Sequence, residues 1–232
     1  MSNPYFRFKQ FTVYHDLCAM KVGVDGVILG AWADCRNSKY VLDVGTGSGL
    51  IALMLAQRSE ARIHAIDIDE NACKQSEINF NNSPFHDRLS IEQTAFQDFS
   101  TPVRYDLIVS NPPYFVHSLK SPDKNRSLAR HNEHLPLDVL FKKSASLLSR
   151  EGKAAFILPF NLLETVNSLA LENQLFLCRK TLVSSIQNHP PKRVLLEYSF
   201  IDRPTAEDGF YIGETKQTYS EEYRTLTEAF YL

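Results

Sequence analysis

The sequence predicts an α/β fold: a doubly wound, mostly parallel sheet of seven strands with helices on both faces. Three observations favour it. Short apolar runs alternate with segments of helical periodicity over residues 40–201, which is typical of parallel α/β architecture. A glycine-rich turn joins the first apolar run to the first helical segment. The length of 232 residues suits one large domain, or one domain with a small appendage.

Each apolar run is predicted to form a strand and each segment of 3.6-residue periodicity a helix. The strands cover residues 40–44, 62–67, 89–91, 105–110, 154–158, 175–183 and 194–201. The helices cover residues 49–55, 69–80 and 137–148, with a fourth from about residue 162 to 169. Asp69 is predicted to cap the second helix, and Asn161 with Glu164 resembles a capping box for the fourth.

Two stretches lie outside this pattern. Residues 1–38 precede the first strand and are rich in aromatic side chains, so we expect them to form an N-terminal segment beside a main domain of residues 39–232. Residues 111–136 form a polar, basic loop that is long for a compact domain. Such loops usually carry function or move.

Composition excludes several classes of protein. Hydrophobic residues make up 44% and charged residues 22%, which is close to the globular average and excludes a disordered or fibrous chain. The net charge of −2 argues against a histone-like nucleic-acid protein. That sum conceals an uneven distribution, because residues 202–232 hold seven acids and three bases and leave residues 1–201 with a net +2.

The sequence suggests a cytoplasmic protein without membrane attachment. Its first residues lack the regions of a signal peptide, and no apolar run approaches the roughly 18 residues of a spanning helix. The cysteines are widely spaced, without a Cys-x-x-Cys pair, so we expect reduced thiols and neither a disulfide framework nor a metal site. They are Cys18, Cys35, Cys73 and Cys178.

The segment from Asp43 to Gly49, Asp-Val-Gly-Thr-Gly-Ser-Gly, follows the first strand and opens the first helix. Glycines let the backbone turn tightly and let a ligand approach the main chain. We therefore expect a nucleotide-type cofactor over this strand rather than a plain turn, which needs fewer glycines. The spacing is not Gly-x-Gly-x-x-Gly, which disfavours a nicotinamide dehydrogenase, and it lacks the Gly-Lys-Ser/Thr of a P-loop.

Charge narrows the choice of cofactor. The glycine loop, residues 45–49, carries no basic residue, and Asp43 stands just before it. A carboxylate repels a pyrophosphate and attracts a cation. S-adenosylmethionine carries a sulfonium and an ammonium and no phosphate, so it fits the loop better than a dinucleotide does.

Two further acids are candidates for contacts with the nucleoside part of the cofactor. Asp67 ends the second strand, about 20 residues after the glycine loop, and an acid at this spacing accepts hydrogen bonds from ribose hydroxyls. Ile68 would lie against the adenine face. Asp98 would accept from the adenine amino group, with Phe99 stacking on the ring. The alternatives are a helix cap for Asp67, a role that Asp69 fills better, and an ordinary loop acid for Asp98.

Ser110-Asn-Pro-Pro-Tyr114, after the fourth strand, indicates specific chemistry. An exocyclic amino group on a base, or an amide nitrogen, is a poor nucleophile because its lone pair is delocalised. The Asn111 side-chain carbonyl and the Pro112 main-chain carbonyl would each accept one N–H bond and aim the lone pair at the methyl group, on a backbone that two prolines rigidify. Tyr114 would stack on the planar substrate. Catalysis would come mainly from orientation and proximity.

These motifs resemble those of the amino-methyltransferases of the S-adenosylmethionine-dependent Rossmann-like superfamily. Residues 11–32, 189–197 and 219–232 are in addition similar to the bacterial tRNA1(Val) (adenine(37)-N6)-methyltransferases, so the resemblance covers nearly the whole chain. It implies methyl transfer from S-adenosylmethionine to N6 of an adenine in tRNA. The expected target is adenine 37 in the anticodon loop of tRNA1(Val).

The resemblance also implies roles for individual residues. It assigns Asp67, Asp98 and Phe99 the nucleoside contacts described above. Residues 1–38 would close over the cofactor through residues 24–26, although Asp25 is equally suited to a helix cap. Gly45, Gly47 and Gly49 are implied near the methionine part of the cofactor, and Asp43 and Thr46 are further candidates for cofactor binding.

Basic residues near the Asn-Pro-Pro-Tyr motif are expected to contact RNA phosphates. Each alone is more often a solvated surface charge, and it is their clustering that favours binding. They are Lys120, Lys124, Arg126, Arg130, Lys192 and Arg193. The target adenine would leave its stacked loop and enter the pocket, which costs less in an anticodon loop that is already single-stranded.

Other readings stay open. Glutamine N5-methylation of release factors uses the same chemistry on a planar amide, but those enzymes resemble a longer build with a helical substrate domain before the glycine loop. DNA methylation usually needs a separate target-recognition domain, and rRNA is a further alternative. Intact Asn111 and Tyr114 argue against a decayed scaffold, and the glycine spacing argues against an NAD-linked oxidoreductase. No obligate protein partner is expected.

Overall fold

The computed structural model describes residues 3–18, 21–113, 135–214 and 218–231. The strands in these ranges are β1 (Tyr5–Arg7), β2 (Thr12–Tyr14), β3 (Tyr40–Val44), β4 (Arg62–Asp67), β5 (Leu89–Gln93), β6 (Tyr105–Ser110), β7 (Leu148–Pro159), β8 (Phe176–Ile186), β9 (Arg193–Ser199) and β10 (Ala206–Gly213). The α-helices are α1 (Val24–Trp32), α2 (Leu50–Arg58), α3 (Glu70–Asn81), α4 (Leu137–Leu147), α5 (Leu163–Glu172) and α6 (Glu221–Thr227).

Eight strands form one sheet in the order β10-β8-β9-β7-β6-β3-β4-β5. Neighbouring strands are parallel except for β9, which runs antiparallel to both β7 and β8. The chain builds outward from β3 first through β4 and β5, and then on the other side through β6 and β7. The predicted doubly wound, mostly parallel sheet is therefore confirmed, and its topological switch point lies between β3 and β6.

The predicted count of seven strands is wrong by one. All seven predicted strands form, and β10 adds an eighth at the edge by pairing in parallel with β8. Its first half is exposed and includes two acids, so the sequence lacks the apolar run by which a strand is recognised. The strand forms because β8 offers an open edge of main-chain donors and acceptors. The hairpin of β1 and β2 was also not predicted.

Alternate residues of the central strands point to opposite faces of the sheet and build two apolar clusters. On one face Val41 packs with α1, α2 and the aromatic residue Phe8 of the N-terminal segment. On the other face Leu42 packs with Phe141 of α4. Because both faces are covered, the central strands are nearly continuous apolar runs.

The two predicted helix caps have different outcomes. The Asp69 carboxylate accepts a hydrogen bond from the Asn71 main-chain N–H at 2.7 Å, so the cap of α3 is confirmed. The capping box of Asn161 and Glu164 is wrong, because a 3₁₀ turn over Phe160–Leu162 precedes α5 and the helix begins without a side-chain cap.

The described ranges contain neither a membrane-spanning helix nor a cluster of metal ligands. No helix in them has the length and apolar character needed to cross a membrane. In the same ranges, no group of three His, Cys, Asp or Glu side chains is arranged to hold a metal ion.

Candidate active site

The carboxyl ends of β3 and β6 lie side by side at the switch point. Val44 pairs with Ser110, and the Ser110 hydroxyl donates to the Val44 carbonyl at 2.8 Å. The segments that follow the two strands, the glycine loop and Asn111, therefore emerge together at one edge of the sheet. In open α/β sheets this crevice is where ligands bind.

The glycine loop turns from β3 into α2 through three left-handed residues. Gly45, Gly47 and Gly49 have φ angles of +71°, +60° and +79°, which L side chains seldom adopt. A Cβ atom at Gly45 or Gly47 would meet nothing within 4 Å, whereas one at Gly49 would lie 2.5 Å from the Phe80 ring. The first two glycines thus leave open space above the loop, and the third allows the loop to pack on α3.

The Asp43 carboxylate lies beneath the loop and is fully buried. Its Oδ2 accepts from the Thr46 hydroxyl at 2.7 Å and from the Ala52 main-chain N–H at 3.1 Å. Burial raises the pKa of Asp43 to about 7. The side chain presents no surface, so the predicted contact of Asp43 with the cofactor is not visible in this structure. Asp43 instead ties Thr46 of the loop to the first turn of α2.

Asp67 lies beside the loop at the end of β4. Its Oδ2 accepts from the Gly47 main-chain N–H at 2.8 Å, and its Oδ1 accepts from the Asp69 N–H at 3.0 Å. Burial raises the pKa of Asp67. The next residue, Ile68, is 49% exposed. The structure thus brings the predicted ribose acid, an exposed apolar side chain and the glycine loop together.

Phe99 is placed differently from the prediction. Its ring is 1% exposed and packs edge-on against His64, with ring centroids 5.2 Å apart. The structure does not show the free ring face that the predicted stacking on adenine requires. Asp98 is exposed, and the chain before it is fixed beside β4 by the Thr94 N–H, which donates to the Asp67 carbonyl at 2.9 Å.

The Asn-Pro-Pro-Tyr motif is described in part. Asn111 is half-buried, Pro112 is buried and Pro113 is exposed, at the switch point beside the glycine loop. Tyr114 lies outside the described residues. Four of the predicted RNA ligands also lie outside them: Lys120, Lys124, Arg126 and Arg130.

The remaining two predicted RNA ligands are Lys192 and Arg193, which lie where β9 begins, at the same edge of the sheet. Arg193 pairs in register with Pro159 at the end of β7, and its Nε donates to the Asp25 carboxylate at 2.8 Å across 168 residues of chain. Asp25 makes no cap bond, and the N-cap of α1 is Gly23, so the helix-cap alternative for Asp25 is wrong. Lys192 is exposed.

Sequence reasoning missed an aromatic side chain at this edge. Phe160 directly follows β7, its ring is 37% exposed, and its N–H donates to the Lys192 carbonyl at 3.1 Å. The sequence did contain a signal for this residue. It is an aromatic residue directly after β7, the strand that neighbours β6, and Asn111 directly follows β6.

Sequence reasoning also missed three polar residues of α3. Gln75, Ser76 and Asn79 are buried, and two of them hold the glycine loop. The Ser76 hydroxyl donates to the Gly47 carbonyl at 2.8 Å, and Asn79 Nδ2 donates to the Ser48 carbonyl at 2.7 Å. The signal was polar side chains at core-facing positions of an amphipathic helix.

The residues at this edge fit a cationic nucleoside cofactor. Open space lies over Gly45 and Gly47. The second carboxylate oxygen of Asp43, Oδ1, is buried beneath the loop and has no hydrogen-bond partner in the described ranges. The loop therefore has an unused hydrogen-bond acceptor beneath it. The carboxylates around the loop favour a cation over a phosphate.

Comparisons with known proteins agree with this geometry. Residues 28–157 match the family model of the methyltransferase small domain. A tRNA1(Val) (adenine(37)-N6)-methyltransferase from Parabacteroides distasonis is 49% identical, over 100% of this chain and 99% of its own length. Another protein of that name, from Bacteroides thetaiotaomicron, is 45% identical over the same shares.

Solved structures share the fold. A predicted O-methyltransferase from Agrobacterium tumefaciens has a TM-score of 0.68 at 13% identity, over 89% of this chain and 96% of that one. At that level of identity, the likeness establishes the arrangement of helices and strands alone.

Proposed function

The chain belongs to the family of the tRNA1(Val) (adenine(37)-N6)-methyltransferases, and we propose that it transfers the methyl group of S-adenosylmethionine to N6 of an adenine in tRNA. The proposed target is adenine 37 of tRNA1(Val). The observation that supports this function best is the emergence of Asn111 beside the glycine loop at the switch point.

S-adenosylmethionine supplies an electrophilic methyl group when it is bound. Gly45 and Gly47 open the main chain toward its methionine part. Asp67 accepts from the ribose hydroxyls with the lone pairs that its bonds to Gly47 and Asp69 leave free. Ile68 covers the adenine face. Asp98, which is exposed at the same edge, accepts from the adenine amino group.

Asn111 and Pro112 orient the nucleophile. The Asn111 side-chain carbonyl and the Pro112 main-chain carbonyl would accept hydrogen bonds from the two N–H groups of the target amine, which aims its lone pair at the methyl group. The N–CH3 bond would form as the S–CH3 bond breaks, S-adenosylhomocysteine would leave, and one N–H proton would pass to solvent after the transfer. Tyr114 stacks on the base. The rate gain comes from orientation and proximity, so no side chain with a tuned pKa is required.

The RNA surface extends from Asn111 toward the end of β7. Lys192 and the basic residues Lys120, Lys124, Arg126 and Arg130 neutralise phosphates, and the exposed ring of Phe160 stacks on an unpaired base near the target. Residues 1–38 form the N-terminal segment that closes over the cofactor, with residues 24–26 held beside β9 by the Asp25–Arg193 ion pair. A tRNA substrate and four free thiols favour a cytoplasmic location.

The experiment that tests the proposal is labelled methyl transfer to total tRNA, total DNA and release-factor protein, followed by nucleoside and amino-acid analysis. We expect N6-methyladenosine in tRNA. A tRNA1(Val) transcript with guanine at position 37 is the matched control and accepts no methyl group. Label on a protein glutamine would contradict the substrate and leave the chemistry of Asn111 intact.

A further inference from the structure

Helix α3 directs three polar side chains into the protein interior. Gln75, Ser76 and Asn79 are 1%, 0% and 0% exposed. Burying a polar side chain is unfavourable unless it is hydrogen-bonded. The partners of these three residues therefore indicate why polar groups occupy a core-facing stripe.

Asn79 joins two separate parts of the chain. Its Oδ1 accepts from the Tyr14 N–H at 2.9 Å, and its Nδ2 donates to the Tyr14 carbonyl at 2.8 Å, so the amide pairs with the main chain as a neighbouring strand would. The same Nδ2 donates to the Ser48 carbonyl of the glycine loop at 2.7 Å. One side chain thus fixes the N-terminal segment and the loop relative to each other.

The other two side chains each hold one of these parts. Gln75 Oε1 accepts from the Leu17 N–H at 2.9 Å, three residues beyond Tyr14. The Ser76 hydroxyl donates to the Gly47 carbonyl at 2.8 Å. The helix therefore offers one tie to the N-terminal segment alone, one to the loop alone and one to both.

Residues 14–18 lie against α3, the helix that follows the proposed ribose acid, Asp67. The Cys73 thiol of α3 lies 3.5 Å from the Asp67 carbonyl, two residues before Gln75, which holds Leu17. Burial raises the pKa of the Cys18 thiol to about 12, and the Asp67 and Asp69 carboxylates add to the shift. Residues 14–18 therefore form a wall against α3, the helix that follows Asp67 in the chain.

We propose that Asn79 is a positioning residue for cofactor binding: it fixes the wall of residues 14–18 against the glycine loop, and the wall and the loop together enclose the nucleoside part of the cofactor. The proposal rests on S-adenosylmethionine being the cofactor. Asn79 acts through Tyr14 and Ser48, and contact with the cofactor is not required of it.

The test measures the Kd of S-adenosylhomocysteine by calorimetry for wild type and for Asn79→Ala, Gln75→Ala and Ser76→Ala. Asn79→Ala should raise Kd at least fivefold and more than either single-tie variant. The KM of Asn79→Ala for the methyl donor should rise, whereas its kcat at saturating methyl donor should change less than threefold. Val166→Ala, in the buried cluster on the opposite face of the sheet, is the control for general destabilisation and should lower Tm without changing Kd.

A second readout needs no turnover. Cys18 is half-buried, whereas the other three thiols are buried, so alkylation followed by mass spectrometry reports on the wall. S-adenosylhomocysteine should slow the alkylation of Cys18 in wild type. In the absence of ligand, Cys18 of Asn79→Ala should be alkylated faster than Cys18 of wild type.

Three outcomes separate the proposal from its premise. A smaller than fivefold change in Kd for Asn79→Ala would overturn the positioning role, and so would an equal change in Val166→Ala. Absence of any binding of S-adenosylhomocysteine or S-adenosylmethionine to wild type would instead refute the proposed cofactor.

Discussion

The Gly47 main-chain N–H donates to the Asp67 carboxylate at 2.8 Å, although the two residues lie 20 apart in the chain. The same carboxylate accepts from the Asp69 N–H, where α3 begins. One acid therefore joins the glycine loop to the end of β4 and to the start of α3. The shape of the cofactor site depends on Asp67 before any ligand binds.

Asp67→Ala should raise the Kd for S-adenosylhomocysteine at least tenfold, because it removes both the ribose acceptor and the anchor of Gly47. Asp67→Asn keeps one acceptor oxygen, so its Kd should lie between that of Asp67→Ala and that of wild type. Calorimetry measures both. Glu70→Gln alters an exposed carboxylate that pairs with Lys74, and it should leave Kd unchanged. Unchanged affinity in Asp67→Ala would refute the ribose role.

Asn111→Ala should lower methyl transfer to tRNA by about 100-fold or more, the scale of losing one preorganised hydrogen bond at a reacting atom. Its Kd for S-adenosylhomocysteine should stay within twofold of wild type, because Asn111 orients the amine and not the cofactor. Single-turnover transfer of a labelled methyl group gives the rate. Asn37→Ala, at an exposed asparagine outside the motif, is the control and should keep its activity. Equal losses in both variants would argue against a role for the Asn111 carbonyl.

The sequence predicted those parts of the fold and the site that local patterns specify. Buried parallel strands need apolar runs, so seven strands could be located, and the glycine loop and Asp67 follow from fixed spacings. β10 was missed because its pairing depends on the open edge of β8 and not on its own apolar residues.

The sequence is least informative about the site where burial decides the role of a side chain. Asp43 and Phe99 have the residue types expected of ligands at their positions, but the structure encloses both. Asn79 was missed because its partners Tyr14 and Ser48 lie 65 and 31 residues away in the chain, and no spacing rule connects them.

Phe160→Ala should weaken tRNA binding by roughly fivefold to 150-fold, since stacking on an aromatic ring contributes about 1–3 kcal/mol per base. Phe160→Tyr keeps a ring and should bind nearly as wild type. Fluorescence anisotropy with labelled tRNA at one fixed salt concentration measures the change. Leu171→Ala, at a 60% exposed site on α5, is the control and should have no effect. If Phe160→Ala binds as tightly as Phe160→Tyr, the ring does not stack on RNA.

Lys192→Ala should reduce the dependence of tRNA affinity on salt. Each phosphate contact releases counterions, so the slope of log K against log salt should become shallower by about one for a single lost contact. The measurement is a titration series between about 50 and 200 mM salt. If the affinity of wild type for tRNA did not vary with salt, the proposal that basic residues contact RNA phosphates would be contradicted.

The buried Asp43 carboxyl gives the protein a specific dependence of stability on pH. Its pKa is raised by burial to about 7 in the folded chain, against an ordinary value near 3.9. Between those values the folded state holds a proton that the unfolded state has lost. The free energy of unfolding therefore falls as pH rises from about 4 to 7, by at most about 1.4 kcal/mol per pH unit, and the contribution is constant above that window.

Asp43→Asn removes this titration and keeps an oxygen that accepts from Thr46 and Ala52. Relative to wild type, the variant should therefore gain stability as pH rises from about 4 to 7. Urea unfolding at several pH values measures the difference, in which the titrations of other groups cancel. Asp202→Asn, at an exposed carboxylate, is the control and should track wild type throughout. A difference between Asp43→Asn and wild type that stays flat across the window would show that the Asp43 carboxyl is already ionised in the folded protein at the lower pH.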